Sequence, residues 1–270
     1  MRALAFCTQS SSVGNPSNDQ LILASGSQDG TIRLWTIGAL EVAKNQSYEN
    51  GRANTLSDEL LDAFEASLTD PTEGEEGGRQ ISLKRHVLTV KSKDHGCVSI
   101  TLSSQLCDQA SERAQQYAIT FDALLIGHEA GITSLAWAPS ALTSTSPLQT
   151  LLSSSTDSSL ILWSPSQMLR SASCSDVTAG SIWVNRQRFG DVGGQRLGGF
   201  VGGLWAKTVQ GNDVIGWGWN GGCRRWRSVQ ATEGDLNSAQ WKEVGAISGH
   251  SGPVKDLDWS PAGEYVISVG

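Results

Sequence analysis

The chain has 270 residues, a net charge of −7 and a pI near 5.1, which argues against a protein that holds nucleic acid through its overall field and leaves room only for a local basic patch. Five cysteines (Cys7, Cys97, Cys107, Cys174, Cys223) are spread without a Cys-x-x-Cys pair, so no zinc site, disulfide framework or cofactor is indicated. No run approaches the ~18 apolar residues of a membrane span and the N-terminus has no signal-peptide core, so we expect a soluble, intracellular chain, cytoplasmic and nuclear, with no membrane partner.

Ten tryptophans against three tyrosines, with thirty glycines, suit a fold that ends strand after strand on Trp and reverses in many turns. Residues 1–37 read as three strands, the last two joined by Asp29-Gly30, a favourable hairpin turn because Gly tolerates positive φ. Residues 38–117 interrupt the pattern, and loops this long are usually functional or disordered. In the insertion Ser57 can cap a short helix bearing Leu60, Leu61, Phe64 and Leu68, which would lie on the side of the sheet or dock a partner. The acidic run Glu73 to Glu76 reads as a solvated loop. Val87 to Val90 and Val98 to Leu102 alternate around Asp94-His95-Gly96, a hairpin expected to rejoin the sheet, and Tyr117 to Leu125 is the outer strand that leads into Gly127-His128.

Residues 118–165 form the most complete unit. Gly127-His128 precedes the strand 132–137, and residues 151–163 make a hairpin that turns at Asp157 and ends on Trp163. Residues 166–243 repeat it in degenerate form, with no Gly-His and with Asn220 at the turn before Trp226. Residues 244–270 start it again with Gly249-His250 and the strand 254–259. Six positions separate the turn residue from the tryptophan in each copy, Asp29 to Trp35, Asp157 to Trp163 and Asn220 to Trp226. A fixed offset of this kind marks a repeat.

Gly-His, strand, strand, turn Asp, strand, Trp resembles the WD repeat of β-propellers. The resemblance implies an all-β propeller of four-stranded blades, here incomplete, with Trp35, Trp163 and Trp226 buried. About three and a half blades cannot close a ring of the usual four to eight, so the chain is expected to be part of a larger protein or to be completed by other chains. In WD repeats the imidazole, the turn Asp, a hydroxyl and the indole form a buried hydrogen-bond chain. By that resemblance His128, Ser153, Asp157 and Trp163 fill its places in one blade, Ser25, Asp29 and Trp35 in the first, Asn220 and Trp226 in the degenerate one, and His250 and Ser268 in the last. On paper His128 and Asp157, with Ser153 and Trp163, look like a hydrolytic or metal set. The structural reading absorbs them, and no catalytic, cofactor-binding or metal residue is assigned.

The glycine-rich run 190–203 lacks the Gly-Lys-Ser/Thr ending of a phosphate cradle and reads as a turn-rich strand. Arg224, Arg225 and Arg227 surround Trp226 in a strand, so Arg225 and Arg227 share one face and Arg224 points away. Together with Arg186, Arg188 and Arg196 they are either a solvated face or a contact for RNA or an acidic partner. The order of the blade with Ser-Gln-Asp-Gly-Thr-Ile-Arg-Leu-Trp, the insertion, the Gly-His strand, Phe-Gly-Asp-Val-Gly-Gly and the second Gly-His strand is similar to the Elongator complex protein 2 family. This resemblance implies a non-catalytic scaffold that binds the large scaffold subunit and the catalytic subunit of Elongator in support of tRNA wobble-uridine modification, with any tRNA contact indirect or local. The alternatives are a WD-repeat adaptor in signalling or transport and a direct RNA-binding propeller.

Overall fold

The structure, a computed structural model, describes residues 1–9, 20–40, 86–92, 98–103, 114–139, 149–166, 182–190, 199–208, 211–229, 240–260 and 265–270. The helix expected after Ser57 and the acidic run at Glu73 lie outside the described residues. Every regular element among the described residues is a strand: β1 (Ala3–Gln9), β2 (Gln20–Gly26), β3 (Ile32–Leu40), β4 (His86–Ser92), β5 (Val98–Ser103), β6 (Ala114–Leu125), β7 (Ile132–Trp137), β8 (Leu151–Ser155), β9 (Leu160–Pro165), β10 (Trp183–Phe189), β11 (Phe200–Thr208), β12 (Gly211–Gly218), β13 (Gly222–Val229), β14 (Gln240–Ser248), β15 (Asp256–Trp259) and β16 (Val266–Val269).

They form four sheets. The first has the order β1-β2-β3-β6-β4-β5, the second β10-β9-β8-β7, the third β11-β12-β13-β14, and the last pairs β15 with β16. The strand that leads into each following repeat hydrogen-bonds backwards, to the strand that carries the preceding tryptophan. Trp183 lies opposite Pro165 and Phe189 opposite Leu160, and Ser248 lies opposite Gly222. The boundaries at 118, 166 and 244 follow the repeat in the sequence. The pairing instead sets β6, β10 and β14 in the preceding sheets, because their backbone groups find antiparallel partners there before the chain turns away.

Two compact units divide the chain: Met1–Cys7, Leu23–Leu34 and Asp122–Gly270 in one, Thr8–Ile22 and Trp35–Phe121 in the other. In the second unit β4 pairs β6 from His86 opposite Ile119 to Lys91 opposite Ala114, and β5 continues the ladder with Leu102 opposite Leu88. The hairpin expected within the insertion thus joins the sheet as β4 and β5. Trp35, expected to be buried, is only half-buried. It meets Phe121 edge-on at 5.3 Å, and Phe121 is itself half-buried.

In the first unit three apolar clusters separate successive sheets. Ala24, Ile32 and Leu34 pack with Ile132, Leu151, Ile161 and Trp163. Leu152, Leu160 and Leu162 meet Phe200, Trp205, Val214 and Trp226. Ala206, Ile215 and Trp217 meet Val254 and Leu257. Each sheet from the second to the third thus buries both faces, which is why β8 and β9 are apolar or small along their whole length and do not alternate. Burial of each large side chain contributes about 1.5–3 kcal/mol.

The turns close on side chains. Asp29 Oδ1 accepts the Thr31 N–H at 2.9 Å and its hydroxyl at 2.7 Å, and Gly30 takes φ 81°. The equivalent residue of the next hairpin, Ser158, adopts φ 67° without being glycine, and its hydroxyl accepts the Gly199 N–H at 3.1 Å. Ser158→Gly relieves about 1 kcal/mol of left-handed strain and loses a hydrogen bond of similar worth. Its melting temperature is therefore expected to stay close to that of the parent, whereas Ser158→Ala loses the bond without the relief and should cost about 1 kcal/mol by denaturant unfolding.

Candidate functional site

The polar residues singled out in the second repeat meet under the Gly-His turn. His128 precedes β7, Ser153 lies in β8, Asp157 heads the hairpin and Trp163 lies in β9. Ser153 and Leu152 face opposite ways, and Ser153 stands beside Ile161 in the ladder, so the hydroxyl points to the side on which the imidazole lies. His128 Nε2 is 2.7 Å from Ser153 Oγ, and the Trp163 indole N–H donates to the same oxygen at 2.9 Å. His128 Nδ1 is 3.0 Å from Asp157 Oδ2. A carboxylate only accepts, so Nδ1 carries the hydrogen, and Ser153, already accepting from the indole, donates to Nε2.

Asp157 is the most heavily served group. Besides His128 it accepts the Glu129 N–H at 2.9 Å, the Ser159 N–H at 2.9 Å and the Ser159 hydroxyl at 2.6 Å. Arg188 of β10 adds Nη2 at 3.3 Å. Burial alone would raise its pKa, but hydrogen bonds from His128, Ser159 and the Glu129 backbone outweigh this and hold the carboxyl far below the usual range.

Ser153, His128 and Asp157 have the spacing of a nucleophile, a base and its orienting acid. All three side chains are shut off from solvent. Ser153 is fully buried, the His128 side chain has no exposed surface and Asp157 is 4% exposed. The hydroxyl that would attack a substrate is also capped by the Trp163 indole. The set is a staple that ties β7, β8 and β9 together and satisfies each member's polar atoms.

The other repeats carry parts of it. His250 Nε2 lies 2.8 Å from Ser268 Oγ. Ser25 donates to the Arg33 carbonyl at 3.4 Å, while Asp29 serves its own turn and lies 3.8 Å from Arg33. Asn220 Oδ1 accepts the Gly222 N–H at 3.2 Å, and Trp226 is buried in the apolar cluster. The position equivalent to Ser153 in the third sheet is Gly216, and a Cβ there would meet Leu160 at 2.7 Å and Phe200 at 2.9 Å. Phe200 fills the space that the staple's hydroxyl takes up in the second sheet.

The three arginines around Trp226 are not alike. Arg225 and Arg227 both turn onto Asp213 of β12, which is fully buried: Arg227 Nε donates to Oδ1 at 3.0 Å and Nη2 to Oδ2 at 3.2 Å, and Arg225 forms an ion pair and hydrogen bond with the same carboxylate. Hydrogen bonding to Asp213 raises the Arg227 pKa above its ordinary value. Arg224, on the opposite face, lies 3.9 Å from Glu243. Asp213 and Ser159 were not among the residues picked from the sequence, and Arg188, read there as part of a basic face, lies instead against Asp157. The available signal for Asp213 was a lone acid in an otherwise apolar strand, Asp-Val-Ile-Gly-Trp.

A family model described as "WD domain, G-beta repeat" matches residues 7–36, 120–164 and 241–270. Those three stretches are similar to WD repeats. Elongator complex protein 2 of Schizosaccharomyces pombe is 36% identical to it over 160 residues, 56% of this chain and 17% of that protein. The protein of the same name in Dictyostelium discoideum is 29% identical over 272 residues, 99% of this chain and 25% of the relative. The chain therefore spans between 17 and 25% of the length of these two relatives. Among solved structures, Sqt1 of Chaetomium thermophilum aligns at 16% identity with a TM-score of 0.38, covering 98% of this chain and 53% of that one. The three WD-repeat matches and the sheets of antiparallel strands together give an all-β propeller fold.

Proposed function

We propose that this chain is part of a non-catalytic scaffold subunit of an Elongator-type complex, which binds the large scaffold subunit and the catalytic subunit and so supports wobble-uridine modification of tRNA. The observation that carries the reading is the likeness to Elongator complex protein 2 along 99% of the chain. The sealed state of this Ser–His–Asp set supports the non-catalytic part, since Ser153 has no exposed surface. What the chain offers a partner is surface: strand edges and loops. Affinity purification of the full-length protein followed by mass spectrometry tests it. The expected result is recovery of the other Elongator subunits, with loss of wobble-uridine modification when the gene is deleted. Recovery of signalling or transport partners with tRNA modification intact would overturn it.

The rival reading is a direct RNA contact through Arg224, Arg225 and Arg227. A guanidinium that neutralises buried Asp213 is poorly placed to reach a phosphate, so two of the three argue against it. Arg224→Ala is expected to leave the salt dependence of tRNA binding by the purified protein unchanged. A slope reduced by about 0.9, the value of one phosphate contact, would restore the RNA reading.

A further inference from the structure

The third sheet lacks the staple. No Gly-His precedes it, Gly216 stands where the hydroxyl would be, and Asn220 replaces the turn acid. On its other face it holds a buried charge cluster that the repeat does not call for. Asp213 lies opposite Arg227 and Ile215 opposite Arg225, so the side-chain alternation brings one carboxylate and two guanidinium groups to a single face. That face is the one on which Ile215, Trp217 and Cys223 meet Val254, Leu257 and Trp259. Trp259 of β15 lies with its ring 5.4 Å from the Arg225 guanidinium carbon, so Arg225 is held between the Asp213 carboxylate on its own sheet and an indole face on the next.

We infer that Asp213, Arg225 and Arg227 form a conformational lock that joins the third sheet to the β15–β16 hairpin, with the Arg225–Trp259 contact as its catch. β15 and β16 are four residues each, and a two-stranded hairpin is marginal by itself, so its order depends on what it docks against. The apolar part of the junction is modest: Val254 and Leu257 are the buried residues it contributes. The Val254 N–H donates to the Gly218 carbonyl at 3.3 Å. Arg225 adds a contact whose geometry depends on Asp213, because a buried carboxylate holds the planar fork in one orientation and only a face-on guanidinium gains from the ring quadrupole. Loss of the carboxylate frees the fork, and the catch goes with it.

Hydrogen exchange of the full chain tests this. Arg225→Lys keeps the charge on Asp213 and removes the flat group over Trp259. The expected result is at least about ten-fold faster exchange at Leu257 and Trp259, with the amides of Leu152 to Ser154 in the second sheet unchanged. Trp259→Leu keeps apolar volume without the ring and should reproduce the effect, and the double variant should be no faster than either single one, since both remove the same contact. Asp213→Asn should accelerate β12 and β15 together. Unchanged exchange in β15 of Arg225→Lys, additive effects in the double variant, or equal acceleration of the second sheet would each overturn the lock. If Asp213→Asn does not fold, the Arg225 and Trp259 pair decides by itself.

Discussion

Phe200→Ala is expected to cost about 3–5 kcal/mol, the range for removing a large aromatic side chain from a closed core, as measured by denaturant unfolding. Phe200 is 1% exposed. It packs among Leu152, Leu160, Val214 and Trp226, with its ring 6.1 Å from the Trp226 ring. Its ring also occupies the place above Gly216, so Gly216→Ser alone should be destabilising by about 1–3 kcal/mol through overpacking, because the new Cβ would stand 2.9 Å from the Phe200 ring and 2.7 Å from Leu160. The double variant then removes the clash with Phe200, though not the one with Leu160, and fills part of the void. It should be less destabilised than the sum of the single variants, by an interaction energy of about 0.5–3 kcal/mol. Strict additivity would mean that Gly216 is glycine for some reason other than Phe200.

The staple was legible in the sequence because its members recur at fixed offsets, and offsets along paired strands translate directly into neighbours across them. Six positions from Asp157 to Trp163, and ten from Ser153 to Trp163, bring three side chains around one hairpin, and the Gly-His turn adds the fourth. The ownership of β6, β10 and β14 was not legible, since a period along the chain is the same whichever sheet an outer strand joins. Only hydrogen-bond pairing tells, and Trp183 opposite Pro165 settles it for β10. Trp35 shows a second limit. Its place in the repeat matches Trp163, yet burial depends on the neighbouring sheet, and its partner is half-buried Phe121. Asp213 and its arginines escaped for a related reason: alternation assigns Arg225 and Arg227 to one face, but only the register of β12 against β13 supplies the acid.

Asp157→Ala is expected to cost about 3–5 kcal/mol, as when one member of a buried charged pair is removed and the others are left unpaired, because His128 Nδ1, the Ser159 hydroxyl, the Glu129 N–H and Arg188 all lose their acceptor. Asp157→Asn keeps the volume and one acceptor and should cost less, about 1–3 kcal/mol. The pH dependence separates the carboxylate's charge from its shape. The folded pKa lies below that of an unfolded aspartate, about 3.9, so the stabilisation is fully present above pH ~4. As the pH falls below that, the unfolded chain takes up a proton that the folded carboxyl refuses, and the stability from Asp157 drains away toward the folded pKa. Between pH 7 and pH ~5 the gap in unfolding free energy between the parent and Asp157→Asn should therefore be flat, and below pH ~4 it should narrow. A gap that stayed constant down to pH ~2 would show that the charge of Asp157 contributes nothing and that the staple acts through hydrogen-bond geometry alone.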